Sequence, residues 1–300
     1  MPGTLHHAIL GAGGIGGLMG ACLVHSGAGV TMVVRRETVA TFPRVLHLES
    51  PFGDFNAEVA CSSEVPRCDV LWLATKATQL ESALASLSHP DSVNTIVPLL
   101  NGIDHLKLLR SRYGQAKVIA ATIAVESERV APGHIIHRTP FVRLNVSTAG
   151  QALLGPTLDE LRKIGFECKF IADEATLMWS KIVFLAPFAL TTTASDRTTG
   201  AVIADRQWRS QLESCVREAC SVAIAEGAKL DADAVIAAMM EMPPNMRSSM
   251  QKDVAQGNPP ELEAIAGPII NGARRRGFPA PVTASLVAAI ERRMSLQKPA

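Results

Sequence analysis

Four places in this 300-residue chain combine residue types at spacings that could do chemistry. The first is Gly11-Ala12-Gly13-Gly14-Ile15-Gly16, a G-x-G-x-x-G turn between a short apolar run, His7–Leu10, and a stretch, Ile15–Val24, that reads as a helix. In that context the motif suits a dinucleotide. Gly11 allows the tight turn, Gly13 lets the backbone approach a pyrophosphate, and Gly16 lets the helix pack closely on the strand. The helix start points its N–H groups at the anion. A second β-branched run, Val30–Val34, leads into Arg35 and Arg36, where an NAD-binding chain would hold an acid on the ribose hydroxyls. Arg35 there suits a 2′-phosphate, so the expected cofactor is NADP(H). The competing readings are a solvated arginine, or a register two residues on that brings Glu37 to the ribose.

The second place is a pair of strand ends. Asp69–Ala74 runs into Thr75-Lys76-Ala77, and Thr95–Leu99 into Leu100-Asn101-Gly102. Ligands of an open α/β sheet lie beyond the carboxyl ends of its strands. Lys76 and Asn101 are therefore cofactor-binding candidates, set against a solvated lysine and an Asn-Gly turn. The third place is Trp179-Ser180-Lys181, followed by apolar Ile182–Ala186. Desolvation lowers a lysine pKa and makes a better proton donor near neutrality, unless the stem snorkels and the ammonium stays in water. The fourth is Arg247-Ser248-Ser249-Met250-Gln251-Lys252-Asp253 with Pro260-Glu261. The paired serines could cap a helix and offer N–H groups to a carboxylate. Glu261 reads as an acidic site residue or a charge favouring its own helix dipole, and Asp253 as a site residue or a solvated one.

The elements that must position these residues fall into two textures. Up to about residue 172, strands alternate with helices, which predicts an α/β Rossmann-type doubly wound sheet. Val45–Leu48 and Ala57–Ala60 read as an inserted hairpin, Val118–Val125 as another strand, and Gly133–Ile136 with Phe141–Val146 as antiparallel strands. From Asp173 the chain reads as all-α, beginning with a helix over Glu174–Phe188 that is kinked or ended near Pro187. The expected domains are 1–172, binding the cofactor, and 173–300, helical and carrying substrate and catalytic residues. A frayed end is expected at Ser295–Ala300.

Composition excludes several classes. A chain 47% hydrophobic and 19% charged can bury a large core and is not disordered. A net charge of +1 points to no nucleic-acid or acidic-membrane partner. The six cysteines lack zinc-ligand spacing, so no metal site is expected and the thiols read as reduced. Met1–Leu10 has no basic stretch followed by a long apolar one, and Ile182–Leu190 is too short to span a bilayer. The expectation is a soluble, cytoplasmic protein with no membrane partner.

Taken in order, Gly11–Gly16, Arg35, Thr75-Lys76-Ala77, Asn101-Gly102, Trp179-Ser180-Lys181, Ser248-Ser249-Met250, Asp253 and Glu261 resemble the ketopantoate reductase (2-dehydropantoate 2-reductase) family over nearly the whole chain. The resemblance implies NADPH-dependent reduction of a small-molecule 2-oxo acid, ketopantoate to pantoate, in a cleft between the two domains. It implies Lys181 as the proton donor, Glu261 beside cofactor and substrate, and Ser249 and Asp253 on the substrate. It also implies Gly11, Gly13, Gly16, Arg35, Lys76 and Asn101 on the cofactor. Two family asparagines, four and eight residues after the lysine, are Leu185 and Ala189 here. A third is Thr199. At four-residue spacing Leu185 and Ala189 would still line the pocket, which then favours a more apolar 2-oxo acid. Another two-domain dehydrogenase, of hydroxy acid or opine type, and a non-catalytic NADP(H) sensor are the alternatives. Helical domains of this plan often dimerise, which leaves a homodimer open.

Overall fold

The computed structural model describes residues 5–297. The chain forms two compact units, Met1–Leu100 with His105–Ala172, and Asn101–Asp104 with Asp173–Ala300. The first runs β1 (His6–Leu10), α1 (Gly14–His25), β2 (Gly29–Val33), β3 (Val45–Glu49), β4 (Phe55–Glu58), β5 (Ala60–Ser62), β6 (Cys68–Leu73), α2 (Leu80–Leu84) and β7 (Val93–Pro98). It continues through α3 (Asp104–Tyr113), β8 (Ala121–Ala124), β9 (Ser127–Ala131), β10 (His134–His137), β11 (Val142–Ser147), α4 (Gln151–Ile164) and β12 (Phe166–Ile171).

Its central sheet has the order β5-β2-β1-β6-β7, and every pairing in it is parallel. The inner strands are near-continuous apolar runs because both faces are covered: Ala8, Ile9, Val70, Leu71 and Trp72 are fully buried. Strand order reverses at β1, which has β2 on one side and β6 on the other. The carboxyl ends of β1 and β6, at Gly11 and Thr75, therefore flank the switch point where such sheets bind ligands.

The outer strands depart from the sequence reading. The inserted hairpin forms, β3 antiparallel to β4, but Ala60 leaves it and begins β5 on the central sheet. Val118 makes only an isolated bridge to Ile96, and β8 begins at Ala121 in a separate sheet, β12-β11-β8. Gly133–Ile136 and Phe141–Val146 do not pair with each other. β10 joins β3 and β9 in a four-stranded sheet, while β11 pairs with β8 and β12. Pro140 between them cannot donate to a ladder, and β10 pairs instead with the preceding β9 and with the distant β3.

The second unit contains α5 (Glu174–Ser195), α6 (Thr199–Ala204), α7 (Arg206–Ala225), α8 (Ala232–Met240), α9 (Ser249–Ala255), α10 (Leu262–Arg276) and α11 (Pro281–Gln297). Helix α5 packs against α7, α9, α10 and α11. It does not stop near Pro187 but continues to Ser195. A proline inside a helix costs about 3 kcal/mol. Here every residue from Ala186 to Thr193 is buried, and their packing offsets that cost. The poor helix formers Thr191 and Thr192 send their hydroxyls back to the carbonyls of Pro187 and Phe188, both at 2.7 Å. By length and composition α5 could cross a bilayer, and 67% of its apolar window is buried within the protein. At the chain's end Ser295–Gln297 are helical, whereas residues 298–300, like 1–4, lie outside the described residues.

Candidate active site

In the first unit the glycine turn is shaped by contacts that leave room for no side chain. Gly11 has φ +109°, and a Cβ there would lie 2.9 Å from the backbone of Ala74 and Thr75. At Gly16 a Cβ would sit within 1.8 Å of the Gly11 carbonyl oxygen. Gly13 is the opposite case: its backbone is extended, and nothing lies within 4 Å of where its Cβ would be. Gly13 is also the N-cap of α1, with no side chain capping the helix and no acidic residue in its first turn. Open space at Gly13, uncapped N–H groups at Gly14 and Ile15, and a helix of 12 residues fit a bound phosphate. One more observation agrees. The Thr75 hydroxyl, beside the turn, is buried without a hydrogen-bond partner among the described residues, and a buried orphan of this kind calls for a ligand or ordered water. Lys76 is exposed at the start of a 3-10 turn that follows β6, and Arg35 is exposed two residues beyond β2.

In the second unit Lys181, Glu261 and Asn101 come together. Lys181 is part-buried on α5, flanked in sequence by Trp179, Ile182 and Val183, which are at most 3% exposed. Desolvation lowers its pKa to about 8, opposed by the nearby Glu261 carboxylate. Glu261 is 8% exposed and is the residue before α10. Its side chain does not cap that helix. Instead it accepts a hydrogen bond from Asn101 Nδ2 at 2.9 Å. Asn101, expected to face the cofactor from the end of β7, thus belongs by its contacts to the helical unit. The turn that carries it there needs glycine on two counts. Gly102 has φ +88°, and a Cβ would approach the Ala264 carbonyl oxygen to 2.6 Å. Ile103 anchors the same segment in the helical core.

An ammonium that gives up its proton near pH 8, held beside a carboxylate and an amide, can protonate an oxygen as it becomes negative. We therefore expect the rate of a carbonyl reduction to fall about tenfold per pH unit above the Lys181 pKa, since the deprotonated amine has no proton to give. Glu261→Gln removes the charge that supports the ammonium, so the basic limb of the pH–rate profile should move to lower pH. An unmoved limb would separate Glu261 from Lys181.

The remaining expected residues divide. Leu185, one turn beyond Lys181, is part-exposed. Ala189, expected to line the pocket, is 1% exposed and packs in the helical core. Eight residues turn about 80° past the starting direction, twice the offset of four, and that rotation carries Ala189 inward. Thr199 is 3% exposed, and its hydroxyl donates to the Met246 carbonyl at 3.2 Å, fastening α6 to the loop before α9. The serine pair also splits. Ser248 alone caps α9, accepting from Gln251 N at 3.1 Å, while Ser249 is exposed and Asp253 part-buried.

Sequence reasoning missed Asp196. It closes α5 at φ 55° and receives Gln251 Nε2 at 3.1 Å and Arg293 at 3.0 Å. The Gln251 hydrogen bond, with Arg293 and Arg247, holds its carboxyl below the usual range. Asp196 thus ties the end of α5 to the helix that bears Ser249. No local spacing announces it, because its partners lie on distant helices.

Two family models match the chain: Ketopantoate reductase PanE/ApbA over residues 7–150, and Ketopantoate reductase PanE/ApbA C terminal over 173–293. An uncharacterized oxidoreductase, YkpB of Bacillus subtilis, is 26% identical over 94% of this chain and 97% of its own. A 2-dehydropantoate 2-reductase of Caulobacter vibrioides is 27% identical over 94% and 96%. Among solved structures, D-mandelate dehydrogenase with NADH and anilino(oxo)acetate shares the fold, with a TM-score of 0.86 at 20% identity over 97% of this chain and 99% of that one.

Proposed function

The chain belongs to the ketopantoate reductase family and is an oxidoreductase acting on CH–OH groups, and from that premise we propose that it uses NADPH to reduce a 2-oxo acid to the 2-hydroxy acid. Ketopantoate is the substrate that the names of its relatives favour. The observation that carries the reading is the grouping of Lys181 with a buried Glu261 that accepts from Asn101 Nδ2 at 2.9 Å, a setting whose desolvation lowers the Lys181 pKa to about 8.

The backbone of Gly11–Gly16 and the start of α1 would hold the pyrophosphate, with Thr75 and Lys76 as donors beside it. A nicotinamide cofactor held there would supply a hydride for C2 of the substrate. Lys181 donates a proton from Nζ to the substrate oxygen, and its charge stabilises the oxygen before transfer. Glu261 holds that ammonium in place, and Asn101 orients the Glu261 carboxylate. Ser249 offers its hydroxyl to the substrate carboxylate, with Asp253 one helical turn on.

Arg35 supports the phosphorylated cofactor. A charge-assisted hydrogen bond to phosphate contributes about 1.5–3 kcal/mol, so Arg35→Ala should raise the KM for NADPH roughly 10–100-fold and leave that for NADH nearly unchanged. Equal losses with both cofactors would remove the 2′-phosphate contact.

One observation favours a second substrate. Leu185 presents an apolar side chain one turn from Lys181, and an apolar wall cannot reward a substrate hydroxyl. One solved structure of this fold is a D-mandelate dehydrogenase, so the fold is not restricted to ketopantoate. NADPH oxidation with ketopantoate, 2-oxoisovalerate and an aryl 2-oxo acid decides between them. Preference for ketopantoate supports the first reading, and preference for the apolar acids the second. NADPH binding without turnover on any of them would overturn both.

A further inference from the structure

The four-stranded sheet of the first unit carries a side-chain cluster that the proposed reaction does not use. His47 and Glu49 are two residues apart on β3 and so lie on one face of it. His134 on β10 is the register partner of His47 and rises beside it on the same face. His134 Nε2 lies 2.5 Å from Glu49 Oε1, and His47 Nε2 lies 3.9 Å from that oxygen. One ligand atom from each of the three is within 4.8 Å of the others, and all three residues are part-exposed. The second ring nitrogen of His47 is also committed. Its Nδ1 is 2.9 Å from Oδ1 of Asn56, the partner residue across the hairpin. Asn56 Oδ1 can accept from Nδ1, and that tautomer leaves Nε2 facing the cluster. Imidazoles that bind metals are held in this way, by a hydrogen bond from the nitrogen that faces away from the ion.

We propose that His47, Glu49 and His134 form a site for a divalent transition-metal ion of the zinc class. Two imidazoles and a carboxylate suit zinc, with water completing the tetrahedron. The ion takes the place of the proton between His134 and Glu49, and that proton leaves to solvent. An ion pair needs one imidazole on Glu49, whereas here two converge on the same carboxylate oxygen. Binding would tie β3 to β10, which pair in register through His134, Ile135 and Ile136.

The test is titration of the metal-free full-length chain with Zn2+ against a chromogenic chelator. One bound equivalent is expected, lost in His134→Ala and in Glu49→Gln. Asn56→Ala touches no metal and should weaken binding about 10–100-fold at unchanged stoichiometry. No bound equivalent in the wild type, or one that persists in both ligand variants, would overturn the site. Should the variants fail to fold, Co2+ added to the wild type decides. Visible bands without a thiolate charge-transfer band support nitrogen and oxygen ligands, and a thiolate band moves the ion to cysteine and rejects the proposal.

Discussion

Lys181→Ala is expected to lower turnover roughly 10²–10⁴-fold, the range that a positioned general acid contributes. NADPH affinity should stay close to wild type, because the glycine turn and Arg35 belong to the other compact unit. The size of the effect follows from two jobs ending together. The ammonium no longer supplies the proton, and its charge no longer stabilises the developing alkoxide. Lys181→Arg should not rescue the rate, since a guanidinium with a pKa above about 12 holds its proton too tightly to give it up. Lys181→Met keeps most of the apolar stem and separates lost chemistry from lost packing. Single-turnover rates with NADPH binding measured by fluorescence check this. Wild-type turnover in either neutral variant would take the proton-donor role away from Lys181.

Gly13→Ala should abolish measurable cofactor binding or weaken it by about two orders of magnitude while leaving the melting temperature unchanged, since a methyl there would occupy the approach reserved for the pyrophosphate. The separation of binding from folding rests on this one position. Its backbone is extended, which alanine adopts freely, and its surroundings are open. Gly16 gives the contrasting control. The added Cβ would meet the Gly11 carbonyl oxygen at 1.8 Å, so Gly16→Ala should cost stability as well, on the order of 3 kcal/mol by overpacking. Calorimetry of NADPH binding and thermal melts of both variants read the difference. Full affinity in Gly13→Ala would place the pyrophosphate elsewhere.

What the sequence made legible was local. The strand, glycine turn, helix and second strand lie in one continuous stretch, so spacing alone placed the turn and Arg35. Lys181 stood out because an ammonium among apolar residues is costly. What stayed hidden depends on long-range pairing. Asn101 and Glu261 are 160 residues apart, and nothing in either neighbourhood says that one donates to the other. The same holds for β8 and β11, which pair with each other across β9 and β10, and for the pairing of β10 with β3. Pro187 misled in another way: the local cost of a proline is real, but burial of the helix beyond it is larger. Ala189 and Thr199 show the limit of residue matching. A position can correspond in order and still be rotated into a core or used up by a backbone carbonyl.

The stretch Asn101–Asp104 interrupts one unit to serve the other, and this limits recombination. A chimera spliced near residue 172 would look modular in a linear map, yet it would graft a helical cassette without the asparagine that holds its acidic residue and without the glycine that fits under Ala264. Swaps between relatives should therefore exchange the two segments together, as a discontinuous gene fragment. A single-crossover library would be depleted of active clones for a reason that no inspection of the junction itself would reveal.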